Sequence, residues 1–300
     1  MKLILCSDWH LVYQNPIGRK DDLTKVQFDK LAFVLKKADE LDAPILQAGD
    51  FFDKPRSWSL LSHVMDRLKT CGASVYTVYG QHDTYLYSEE TRDKTNLGIL
   101  AKAGLVEIAD DKSVYIGGNC YLQGCSFGGE IPKPDMEGLN ILIIHAPISD
   151  APAYPGCVYT AAKKFLSLHS GYDLILCGDI HRTFVERIGN MTILNLGPML
   201  RKEATEYNFQ HEPKIVIFDT ETRELEWVTI PHQPSEEVLS RDHIEIQSEA
   251  EGKLQNFIDM MKQDEQLQGV SFQDNLYEFI RTNGIDKEVV DYLSGLMEEK

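Results

Sequence analysis

Three hundred residues, 43% hydrophobic and 26% charged, supply enough core to fold without staples, and exclude wholly disordered, collagen-like and small disulfide-framework classes. The net charge of −17 argues against adhesion to nucleic acid or anionic membrane by bulk charge. Residues 235–300 hold 16 acidic and 6 basic side chains, so most of the excess lies in the tail.

An apolar run at Leu3–Cys6 reads as a strand, and Asp22 to Leu41 follows with a helical pattern. Leu23, Val26, Leu31, Val34, Leu35 and Ala38 share one stripe of that helix, the face that packs on a sheet. A strand at Pro44–Ala48, a helix over Ser57–Thr70 and a strand at Ser74–Tyr79 repeat the unit, and Asn140–Ile144 and Asp173–Cys177 add two apolar strands. Between Ser113 and Gly124, and from Phe184 to Ile230, the pattern changes to hairpins, with turns at Gly117-Gly118-Asn119, Gly189-Asn190 and Asp219–Arg223. The expected fold is α/β: two facing mixed β-sheets flanked by helices, with a small helical appendage. Pro231 and Pro234 mark the boundary, giving a domain over 1–234 and an appendage over 235–300 with helices at Ala250–Met261, Ser271–Thr282 and Asp286–Met297.

No leader-like start and no run of the roughly 20 apolar residues a membrane span needs is visible, so a cytoplasmic location without membrane contact is expected. Cys6, Cys71, Cys120, Cys125, Cys157 and Cys177 form no C-x-x-C pair and read as buried thiols.

Chemistry-bearing residues fall at strand ends. The runs are Ser7-Asp8-Trp9-His10, Gly49-Asp50-Phe51-Phe52-Asp53, Gly80-Gln81-His82-Asp83, His145-Ala146-Pro147 and Gly178-Asp179-Ile180-His181, each after an apolar stretch. Strands of one sheet end along a common edge, so these clusters project oxygen and nitrogen donors into one crevice. Carboxylates crowded there would repel one another unless cations sit among them. Mixed imidazole and carboxylate donors suit Mn, Fe or Zn, with Mg less favoured.

These motifs, D-x-H, G-D-x-x-D, G-x-H-D, H and G-x-x-H in this order, resemble the calcineurin-like metallophosphoesterase superfamily from Asp8 through His181. The Asp-Trp-His-Leu opening, the Gly-Asp-Phe-Phe-Asp run and the appended C-terminal segment look most like the DNA double-strand-break exonucleases of the SbcD type and their phage relatives. The resemblance implies that Asp8, His10 and His181 bind one divalent metal, Asp50 bridges, and Gln81, His145 and Asp179 bind the second. Two such ions, about 3.5–4 Å apart, would hold a phosphate and a hydroxide in line with the leaving group. His82 would neutralise the transition state or protonate the leaving oxygen, with Asp83 orienting its ring.

Two positions depart from the superfamily pattern: Gln81 stands where Asn is usual, and Asp179 where the first His of G-H-x-H is usual. Three carboxylates against four positive charges favour harder ions, which makes manganese the expected metal, with Mg, Fe or Zn as alternatives.

Other residues carry paired readings. Trp9 stacks a base or ribose, or is a packed wall; Asp53 fixes a ligand histidine, or is a turn residue. Arg19-Lys20, Lys54, Arg56, Lys163-Lys164, Arg182 and Arg201-Lys202 line a phosphate-tracking groove, with Arg182 the best of them, or are solvated. Asn195-Leu196-Gly197-Pro198 resembles the turn that follows the last metal motif in these nucleases. His63, His169, His211, His232 and His243 read as structural histidines.

The implied function is a metal-dependent phosphodiesterase acting on DNA, partnered by an SbcC-like SMC-type ATPase that docks on the acidic helices, with a homodimer as an allowed assembly. The rivals are a small-molecule phosphodiesterase, phosphomonoesterase or pyrophosphatase of the same fold, and a catalytically impaired scaffold for the ATPase.

Overall fold

Alternation along the first strand decides the layering. Within Lys2–Cys6 (β1), Leu3 and Leu5 point into one apolar cluster and Ile4 and Cys6 into another, and all four are buried. A strand buried on both faces needs cover on each side, one from helices and one from a second sheet. The structure, a computed structural model, describes residues 1–242 except 111, 135, 136 and 155, together with 272–285, 287 and 289–291.

The first sheet runs in the order Leu225–Thr229 (β14), Lys214–Asp219 (β13), β1, Ile45–Gln47 (β2), Val75–Thr77 (β3) and Glu107–Ile108 (β4). β1 through β4 are mutually parallel, while β13 runs antiparallel to β1. The second runs Phe184–Ile188 (β11), Met191–Asn195 (β12), Leu174–Gly178 (β10), Leu139–His145 (β7), Cys120–Cys125 (β6) and Val114–Gly117 (β5). A small parallel ribbon pairs Ile148–Ser149 (β8) with Thr160–Ala161 (β9).

The sheets meet through Leu3, Leu5 and Val216 on one side and Leu122, Ile141, Ile143, Leu174 and Leu176 on the other. The helices Leu23–Leu41 (α1), Trp58–Leu68 (α2) and Asn96–Lys102 (α3) cover the outer face of the first sheet. The helix Ala162–Leu168 (α4) covers that of the second through Phe165 and Leu166 against Leu142 and Ile144. The stripe expected on α1 is the buried one: Leu23, Leu31, Val34, Leu35 and Ala38 are in the core, each large side chain worth roughly 1.5–3 kcal/mol of burial. Asp22, Ser57 and Thr95 cap α1, α2 and α3 with side-chain oxygens. The anticipated hairpins form at β5/β6, β11/β12 and β13/β14.

This is the four-layer α/β sandwich that the pattern of strands and helices implies. Two shorter helices, Glu206–Gln210 (α5) and Ser235–Val238 (α6), follow in the C-terminal part of this unit. The chain divides into two compact units, residues 1–239 and 240–300. In the second, Phe272–Asn283 (α7) is helical and stops before Gly284, whose φ of +60° ends it. The helix expected over Ala250–Met261 and the histidine at position 243 lie outside the described residues, and of Asp286–Met297 only 287 and 289–291 are described, as helix. None of the described helices is long and apolar enough to cross a membrane.

Candidate metal centre

Parallel pairing puts the carboxyl ends of β1, β2 and β3 on one edge, and the same holds for β7 and β10, where His145 sits in register with Gly178. Immediately after these strands the backbone turns left-handed. Asp8 (φ +45°), His10 (+45°), Asp50 (+50°) and Asp179 (+97°) all occupy the region that L-residues avoid, at a cost of order 1–3 kcal/mol each unless, as for Asp, the side chain tolerates it. Two glycines let the two edges close on one another. A Cβ on Gly49 (φ +82°) would stand 2.5 Å from His145 Nδ1, and one on Gly178 would stand 2.3 Å from the Ala48 carbonyl oxygen.

Asp50 is the hub. Its Oδ2 lies 3.4 Å from His10 Nε2, 3.4 Å from His145 Nε2 and 4.0 Å from His82 Nε2, while its Oδ1 accepts the His82 backbone N–H at 2.9 Å. Asp8 Oδ1 accepts the Asp179 backbone N–H at 3.0 Å and lies 4.0 Å from His181 Nε2. His10 Nε2 and His181 Nε2 approach to 2.9 Å. Three overlapping groups result, Asp8/His10/His181, His10/Asp50/His82 and Asp8/Asp50/His145, with the ligand atoms of each within 4.8 Å of one another.

Main-chain carbonyls set the imidazole tautomers. His145 Nδ1–H donates to Ala48 O at 2.7 Å and His82 Nδ1–H to Asp53 O at 2.9 Å, which turns both Nε2 atoms toward Asp50 as acceptors. Asp8 Oδ2, Asp50 Oδ2, Gln81 Oε1 and His145 Nε2 are buried without a hydrogen-bond partner among the described residues. Three of these orphaned acceptors, on Asp8, Asp50 and His145, belong to one close group, and a donor set of carboxylate, imidazole and amide oxygen suits divalent cations.

The electrostatics agree. Burial, against the pull of His145, pushes Asp8 up to about 8. Asp50 is held well below the carboxylate range because the imidazoles of His145 and His10 outweigh its burial. His145 is raised to about 10, since the charges of Asp50 and Asp8 overcome its own desolvation. His10 is pushed well below its ordinary value by burial and then by the Lys202 ammonium. Two buried carboxylates held side by side ionise together more readily with positive charge between them.

Gln81 and Asp179 arrive at the same edge, but Asp179 joins none of the three groups. Its Oδ1 accepts the Gln81 amide at 2.7 Å, and burial raises its pKa. Asp53 does not hydrogen-bond a ligand histidine through its carboxylate. That carboxylate pairs with Lys202 and stands 3.8 Å from His10 Nδ1, while its carbonyl holds His82.

Two site residues play structural parts. Of its two readings Trp9 takes that of the packed wall, not of a stacking partner: it is fully buried against Phe51 at a ring separation of 4.6 Å, between the left-handed residues Asp8 and His10. Asp83 does not orient His82. It is buried and accepts three backbone N–H groups, from Phe51, Phe52 and Gly80, so it ties the Asp50 loop to the Gln81 loop. Arg182 lies beside the site, with its Nε donating to Asp150 Oδ1 at 2.7 Å. His63, His169, His211 and His232 lie outside the centre and rest on Ser59 O, the Phe165 ring, Pro198 O and Ile230 O.

Asn195 is more than a turn residue. Its amide donates to Ile180 O at 2.7 Å and its carbonyl oxygen accepts from Gly197 N–H at 2.8 Å, which fastens the His181 loop to the turn that follows β12. Met199 N–H in turn donates to Asp8 O. The carbonyls of Ala48 and Asp53 had no sequence signal, since every residue supplies one.

A family model described as the calcineurin-like phosphoesterase superfamily domain matches residues 1–223. No curated protein matches the sequence. Among solved structures, a novel archaeal phosphodiesterase is 16% identical at a TM-score of 0.42, covering 76% of this chain and 99% of that one. A putative 5'-nucleotidase from Staphylococcus aureus, in complex with alpha-ketoglutarate, is 13% identical at 0.46, covering 78% of this chain and 55% of the other. A phosphopantetheinyl hydrolase from Mycobacterium tuberculosis is 14% identical at 0.42, covering 66% and 89%.

Proposed function

This chain belongs to the calcineurin-like phosphoesterase superfamily, and on that premise we propose that it hydrolyses phosphodiester bonds of DNA, as an exo- or endonuclease of the recombination or repair type. The observation that carries the chemistry is the convergence of three imidazole Nε2 atoms on Asp50 Oδ2, beside buried acceptors that no group among the described residues satisfies. Two divalent ions, manganese first among them, supply an activated hydroxide and neutralise the phosphate oxygens when bound.

The chain's own residues divide the remaining work. Asp8, His10 and His181 would hold one ion, Asp50 would serve both, and His145 with Gln81 and Asp179 would hold the other. His82, with Nδ1–H fixed on the Asp53 carbonyl, would present Nε2 to the leaving oxygen and, in its imidazolium form, give it the Nε2 proton. Support for a polymeric substrate comes from the openness of the edge: the His82 and His181 side chains are 43% and 38% exposed, so a strand crossing the surface can offer one phosphate at a time. The Asp-Trp-His-Leu and Gly-Asp-Phe-Phe-Asp runs point the same way by resemblance. The proposal includes docking of an SMC-type ATPase on residues 235–300.

Hydrolysis assays with Mn on linear duplex DNA, single-stranded DNA and bis-p-nitrophenyl phosphate test the reading. Cleavage of both DNA and the small ester is expected, and activity confined to the small ester removes DNA as the substrate.

A further inference from the structure

The segment directly after the His82 motif is unusual in what it shows to solvent. Tyr85, Leu86 and Tyr87 are consecutive and exposed, Leu86 at 95% and Tyr87 at 69%. Leu86 (φ +50°) and Tyr87 (φ +59°) both sit in the left-handed region, a rare conformation for bulky residues. The turn is nonetheless built firmly: Tyr85 N–H donates to Thr91 Oγ1 at 2.9 Å, Ser88 N–H to Tyr85 O at 2.9 Å, and Thr91 Oγ1 to Ser88 O at 2.7 Å. Ordered backbone thus holds apolar side chains in water beside a metal centre.

These rings connect to the site. Tyr87 lies 6.1 Å from Phe127 between ring centroids, and Phe127 lies 6.3 Å from His145. A ladder of planar groups therefore leads outward from a buried imidazole that faces Asp50 to an exposed phenol. Two other exposed rings, Tyr13 and Trp58, are already covered, by Lys54 Nζ at 5.4 Å and the Arg56 guanidinium at 4.9 Å.

Several basic side chains near the motif loops already have partners. Arg182 is engaged with Asp150, Lys202 with Asp53, Lys163 with Glu186 and Arg201 with the Gln233 carbonyl, and the chain carries a net charge of −17. Flat apolar contact is a further source of affinity beyond the scissile phosphate, and an exposed tyrosine next to a half-buried phenylalanine is suited to stacking a planar heterocycle.

We propose that Tyr87 and Phe127, with Tyr85 and Leu86 at the rim, form a nucleobase-stacking subsite next to the metal centre, so that the substrate is a phosphoester bearing a base. This deepens the reading of the site as a phosphodiesterase and rests on it. Sequence preference is not implied, because every base has a π-face.

Calorimetric titration of the Mn-loaded protein with deoxyadenosine 5'-monophosphate and with 2-deoxyribose 5-phosphate isolates the base, since the two ligands share sugar and phosphate. Wild-type protein is expected to bind the nucleotide roughly tenfold tighter or more. Tyr87→Ala should collapse that ratio toward one and leave the sugar phosphate's affinity unchanged, while Tyr87→Phe should keep the ratio. Equal affinities in the wild type, or a loss in Tyr87→Ala that falls equally on both ligands, overturns the subsite. If the wild type cleaves no diester yet keeps the base preference, the phosphodiesterase reading fails instead.

Discussion

Gln81 and Asp179 are bonded to each other, Nε2 to Oδ1 at 2.7 Å, and they are the two positions at which the sequence departs from the superfamily pattern. The extra methylene of Gln81 lets its amide nitrogen reach the carboxylate and leaves Oε1 buried and unsatisfied. A carboxylate at 179 accepts that N–H at either oxygen, which an imidazole can do at only one deprotonated nitrogen. The two substitutions thus compensate one another as a unit.

Gln81→Asn should break the pair and lower affinity for the second metal by about 10- to 100-fold. Native mass spectrometry at limiting Mn checks this, with stoichiometry falling from two toward one. The double variant Gln81→Asn with Asp179→His restores the usual residue types and should recover part of the loss, a coupling that independent sites would not show.

Turnover should fall by roughly 10²-fold or more in His82→Ala, with metal content unchanged. The ring is held by the Asp53 carbonyl, while the contact with Asp50 Oδ1 is made by the His82 backbone N–H and survives the substitution, so the deletion removes one chemical group and little scaffolding. Steady-state kinetics beside metal analysis separates the two effects, and an unchanged rate removes His82 from the mechanism.

Strand ends were legible because each chemistry-bearing run follows an apolar stretch, and parallel pairing of β1, β2 and β3 gathers those ends on one edge. The continuous apolar run at Leu3–Cys6 likewise marked a strand. Direction of side chains was not legible. Whether Trp9 turns out toward substrate or in toward Phe51 depends on left-handed φ at Asp8 and His10, which a D-x-H spacing does not encode. Asp83 beside His82 suggested a paired role, yet three main-chain donors claim its carboxylate first. Such donors come from backbone and leave no trace in residue type.

Asp83→Asn tests that scaffolding role. One amide oxygen cannot replace two carboxylate oxygens that accept from Phe51, Phe52 and Gly80, so at least one buried N–H is left unpaired, at about 1–3 kcal/mol. Thermal unfolding should show a lower midpoint, and the rate should fall along with it because the Asp50 and Gln81 loops lose their tie. A variant with native stability and reduced turnover alone would assign Asp83 a chemical part instead.

Lys30 gives the clearest dependence of stability on pH. Its ammonium is almost wholly buried and donates to the Met199 carbonyl at 2.9 Å. Burial first, then the charges of Arg201 and Arg19, brings its pKa down to about 7 from 10.5. Between those two values the unfolded chain binds the proton and the folded chain releases it. Unfolding therefore takes up a proton, and stability rises with pH across that window, by up to about 1.4 kcal/mol per pH unit. Below about 7 both states are protonated, and the full penalty of a buried ammonium is present. Lys30→Met keeps the packing length without the charge, so it should raise stability at pH 7 and flatten the slope between pH 7 and 10. Urea unfolding at several pH values checks both, and a slope as steep in the variant as in the wild type would assign the dependence to another group.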